Sequence, residues 1–191
     1  VGFLRSYAKL MNRCAHGRTV LILLLTAMAV YCYMVFVSIP AVMSYEGKLR
    51  LLDMKPLGYD LEYVRLLFLS LGTEGRQAYL SQQLPIDMIY PLLFALSGGM
   101  LLAYLFNKGL PTRPGLALFS LIPIVAGLCD YGENFGIIAM LRSFPELSPT
   151  TVQLTAVFTV LKSGLTTVFW LVMLVGVIIV LTRKRGVVQP T

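Results

Sequence analysis

Apolar residues crowd into four stretches of the chain, and polar residues fall mainly between them. A bilayer core takes about twenty residues of helix, because in hydrocarbon the backbone must satisfy its own hydrogen bonds. The stretches cover about 19–43, 85–106, 115–141 and 151–182, and the last two are long enough to tilt or to project beyond the hydrocarbon. Pro85 and Pro149 stand where first helical turns should begin. Ser148 is placed to cap the fourth helix, Asn107-Lys108-Gly109 closes the second, and Pro111 follows it. The pattern predicts an all-α polytopic membrane protein, a four-helix transmembrane bundle formed by residues 1–191 as a single membrane domain.

The 44–84 segment between the first two spans has its own periodicity. Gly58-Tyr59-Asp60 reads as a turn and helix cap, after which Leu61, Val64, Phe68 and Leu71 recur at helical spacing. Gly72-Thr73 breaks that helix, and Glu74 to Gln83 can form another. Two short amphipathic helices are expected in this outer loop, lying on the membrane surface in preference to folding over the bundle as a lid.

Charge sets the orientation. Arg5, Lys9, Arg13 and Arg18 precede the first span with no acid among them, Lys108 and Arg113 follow the second, and Arg183-Lys184-Arg185 follows the fourth. The 44–84 loop mixes signs, and Arg142 and Glu146 share the loop before the fourth span. The positive-inside rule therefore puts both termini on the cytoplasmic side. The first apolar run is too long for a signal-peptide core, so it is read as a retained span.

Composition agrees. The chain is 57% hydrophobic and only 13% charged, and its net charge of +7 sits beside the spans rather than on a nucleic-acid-binding surface. Cys14, Cys32 and Cys129 form no paired motif, and His16 stands alone, so no metal site and no cofactor are expected. Neither a Ser–His–Asp arrangement, a phosphate loop nor HExxH occurs, and no catalytic residue is assigned.

The chemistry-bearing pattern lies inside the spans. Asp130, Glu133 and Asn134 share one face of the third helix, and Thr155, Thr159, Lys162 and Thr166 make one polar stripe on the fourth. At about 1.5 Å per residue, Asp130 lies roughly 18 Å from the outer end of its helix and Lys162 roughly 16 Å from the start of the next. Antiparallel neighbours would put them at one level, which predicts an Asp130–Lys162 ion pair, with Glu133 left over. Asp87 and Tyr90, at the start of the second span, would stand higher, and Tyr31 and Tyr33 would share the outer half. A lone charge at mid-membrane costs at least about 2.5–3.5 kcal/mol, so these groups must pair, protonate or meet water. The cluster can fix helix register, form a pocket for a ligand or lipid headgroup, or serve acid–base or proton-coupled chemistry. Gly132-x-x-x-Gly136 and Gly99-x-x-x-Ala103 are expected to pack helices within this bundle, and Pro40 and Pro123 to kink theirs.

The layout resembles claudin-like four-span proteins in topology alone. Their Trp-rich motif and paired outer-loop cysteines are missing from 44–84, and the family is not assigned. The expected function is that of a non-catalytic accessory or assembly subunit of a larger membrane complex, or a lipid-binding module, with membrane lipids and other membrane subunits as partners. The alternative is a small membrane enzyme or carrier for a lipid- or quinone-like molecule, using Asp130, Glu133 and Lys162.

Overall fold

The computed structural model describes residues 15–45, 49–110 and 118–185. Arg5, Lys9, Arg13, Cys14, Pro111, Arg113 and the expected 115–117 start of the third span lie outside them. Among the described residues the chain is all-helical, and four helices are long and apolar enough to cross a membrane.

The first, α1 (Gly17–Met43), is continuous but for one wide π-turn at Met34–Ser38. α2 (Leu61–Ala78) starts at Asp60, whose carboxylate accepts the Tyr63 N–H at 2.8 Å, the predicted cap. Gly58, at φ 85°, supplies the turn before it. Gly72, at φ 63° and ψ −173°, bends α2 in a region of backbone space open essentially to glycine alone. Arg76 closes the bend by donating to the Phe68 carbonyl at 2.6 Å.

The chain then runs on helically through a second π-turn, Tyr79–Gln83, and a short turn, Leu84–Asp87, into α3 (Tyr90–Gly109). Pro85 therefore does not begin a span; it lies within a helical path that starts in the 44–84 segment. Each π-turn precedes a proline, Pro40 or Pro85, whose missing N–H interrupts the regular ladder. α4 (Leu121–Ser143) and α5 (Pro149–Arg185) complete the bundle, α5 with the Thr151 N–H donating to Ser148 Oγ at 3.4 Å.

The four long helices run in alternating directions. Gly17 lies beside the Tyr104 ring, and Arg183 donates to the Lys108 and Gly109 carbonyls at 3.2 and 2.9 Å, so the start of α1, the end of α3 and the end of α5 share one end. α2 occupies the other, the cap end. α4 packs against α3 and α5, α3 against α5, and α1 chiefly against α3 and the cap. α1 and α5 do not pack together. Gly136 lies against Thr155 and Gly132 against the Phe158 ring, so the Gly132-x-x-x-Gly136 face is used inside this bundle.

One face of α2 packs onto the end of the bundle, while Leu66 and Leu69 on the other face stay exposed. Val64, Leu67, Phe68 and Leu71 are buried in one cluster with Ile137, Met140 and Val152, the cap-end residues of α4 and α5. Docking onto helix ends removes this apolar stripe from water more completely than half-immersion in an interface would.

Candidate functional site

Near its cap end the bundle holds a partly open cavity of about 440 Å³. Asp87, Tyr90 and Phe94 form its α3 side, and Ala126 and Asp130 its α4 side. α5 contributes Lys162, Ser163, Thr166 and Thr167, and α1 contributes Tyr31, Met34, Val35 and Ile39. Asp53, Met54 and Pro56, from the 49–60 segment, roof it. The cavity is only partly enclosed, and α1 and α5, which both line it, do not pack against each other. Toward the other end it is closed: Phe94 meets Phe169 edge-on with centroids 5.1 Å apart, and a Cβ added at Gly98 would lie 3.0 Å from both Phe169 and Pro123.

The predicted pair forms, with Lys162 Nζ 3.0 Å from Asp130 Oδ1. The helix geometry behind it holds, but the expectation that Asp130 alone takes the lysine does not. Lys162 also pairs with Glu133 Oε2, since Asp130 and Glu133, three residues apart, present their carboxylates on one face. Glu133 is fully buried, and its other oxygen accepts from the Thr159 hydroxyl at 2.7 Å. The polar stripe of α5 thus faces inward as its spacing implied: Thr155 and Thr159 are buried, and Thr166 lines the cavity.

Asn134 is buried but lies behind the cavity. Pro91 has no N–H to offer the Asp87 carbonyl one helical turn back, and Asn134 Nδ2 donates to that carbonyl at 3.0 Å. Asn134 is therefore a positioning residue that holds the α3 break against α4. Asp87, only 3% exposed, lines the cavity, and its Oδ2 has no hydrogen-bond partner. The Tyr90 ring lies between those of Tyr31 and Phe94, tilted to each, with centroids 5.6 and 6.0 Å away, and all three line the cavity with Asp87. Tyr33 is about half exposed and takes no part.

The sequence reading missed Asp53, which it counted among balanced loop charges. A buried network places it. The Ser38 hydroxyl donates to Gln83 Oε1, Gln83 Nε2 donates to Asp53 Oδ2 at 3.3 Å, and the Tyr79 hydroxyl donates to Asp53 Oδ1 at 2.8 Å. Burial first, and Glu133 second, raise the Asp53 carboxyl above its ordinary range, against the pull of Lys162 and the Tyr79 bond. Burial likewise raises the Tyr59 phenol. The available signal was an acid set inside the apolar run Leu51-Leu52-Asp53-Met54, whose two leucines are fully buried.

Fold and site define an all-helical protein with four helices of membrane-crossing length and a charged, aromatic-walled cavity near one end of the bundle. Comparison of the chain with protein-family models, with curated proteins and with solved structures finds no match.

Proposed function

We propose that this chain is an integral membrane protein, with both chain termini on the cytoplasmic side, that binds an amphipathic molecule in the cavity. One observation carries the reading: a partly open cavity, with Asp53, Asp87, Asp130 and Lys162 set in a mostly apolar lining, lies between α1 and α5, two helices that do not pack together. Such a shape takes a polar headgroup among Asp87, Asp130 and Lys162 and leaves an apolar tail between α1 and α5. The closed floor at Phe94, Phe169 and Pro123 favours a binding module over a pore. This retains the lipid-binding expectation and the pocket residues Asp87, Tyr90, Asp130, Lys162 and Thr166, with Glu133, Thr159 and Asn134 as supports.

The test is native mass spectrometry of the protein released from mild detergent. The wild type carries a bound amphiphile, and Thr166→Trp, which fills the cavity, loses it while keeping its helical circular-dichroism spectrum. Equal occupancy in both proteins, or none in the wild type, contradicts the proposal.

An assembly role is the second reading. It is favoured by α1, only 17% of whose apolar window is buried in the bundle, leaving a broad face for partner helices or lipid. Co-purification of other membrane subunits that is abolished by polar substitutions at Ile22 and Leu25 would support it.

A further inference from the structure

Resting on the amphiphile reading, we infer that the headgroup taken by the cavity is a cation, an ammonium group on an apolar chain. The charge inventory points there. Asp53, Asp87, Asp130 and Glu133 converge on this region, and among the described residues Lys162 is the ammonium that pairs with any of them. Lys162 is already committed to Asp130 and Glu133, and Asp53 already accepts from Tyr79 and Gln83. Asp87 is not committed: it lines the cavity, and its buried Oδ2 has no donor. A buried carboxylate without a partner is costly, and a cationic ligand supplies the missing charge and donor together.

The wall beside it suits the same chemistry. Tyr31, Tyr90 and Phe94 form a run of tilted, neighbouring rings in the wall that Asp87 shares, and aromatic faces attract ammonium groups while also accepting a chain. An anionic headgroup would meet an excess of carboxylates with its one attractive lysine already paired. A metal ion is a poorer occupant, since among the described residues no three His, Cys, Asp or Glu side chains are placed to hold one.

The experiment compares octylamine, octanol and octanoate, which share a tail and differ in headgroup, by calorimetric titration into the full chain in a non-ionic detergent. Octylamine binds most tightly, and Asp87→Asn weakens it by about tenfold or more, the scale of a lost charge-assisted hydrogen bond, while leaving octanol unchanged. Tyr31→Leu, at a half-exposed position, also weakens octylamine more than octanol. Equal binding of octanol and octylamine overturns the cationic headgroup and leaves the amphiphile reading intact. Tighter binding of octanoate overturns it too. Failure of all three to bind overturns both.

Discussion

Asp87 stands where backbone geometry and cavity chemistry meet. Pro91 frees its carbonyl, Asn134 claims that carbonyl, and the carboxylate, in the cavity wall, keeps one oxygen without a donor. A group kept for a ligand costs the empty protein stability. Asp87→Asn is therefore expected to raise the thermal midpoint in detergent by a few degrees, and a lowered midpoint would mark the carboxylate as structural. Lys162 behaves oppositely. Its removal in Lys162→Met leaves two buried carboxylates uncompensated and should cost about 3–5 kcal/mol, and adding Glu133→Gln should recover part of that loss. Thermal unfolding of the two single variants and the double one gives the coupling directly. Asp53 contributes a pH dependence. Its folded-state pKa lies above the ordinary 3.8, so its stabilisation is complete below that value and is lost as pH rises through the folded one. The unfolding midpoint should fall from about pH 4 toward neutrality, with a shallower slope in Asp53→Asn.

At the scale of elements, the cap is held by local chemistry that the chain advertises. Asp60 caps α2, and replacing it with Ala should cost about 1 kcal/mol. A Cβ at Gly72 would meet no atom within 4 Å, so the cost of Gly72→Ala, about 1–3 kcal/mol, would be backbone strain alone. Denaturation of the two variants checks both figures. These features were legible because they depend on neighbours in sequence, as was the matched depth of Asp130 and Lys162, which follows from a fixed rise per residue. What was not legible depends on contacts between distant segments. The apolar stripe of Val64, Phe68 and Leu71 fits a membrane surface or a bundle end equally well until Ile137 and Met140 are seen beneath it. Pro85 resembles a helix start because its signal is the same whether a helix begins there or a π-turn absorbs it. Asp53 entered the site through Ser38, Gln83 and Tyr79, which lie 15 or more residues away along the chain.

For the whole molecule, the alternating bundle gathers Arg18, Lys108 and Arg183 at the end opposite the cap, the charge arrangement that orients membrane proteins. A cysteine introduced at Glu74 in a cysteine-free background should react with an impermeant thiol reagent on intact cells, and one at Lys108 only after permeabilisation. The reverse pattern would invert the orientation. The same bundle leaves α1 resting chiefly on α3 and not packed on α5, and the proposed ligand tail lies between those two helices. The most direct measurement is an experimental structure of the protein in lipid nanodiscs. Density for an elongated molecule is expected between α1 and α5, with its polar end beside Asp87. A bundle in which α1 has closed onto α5, with the cavity filled by side chains, would contradict it.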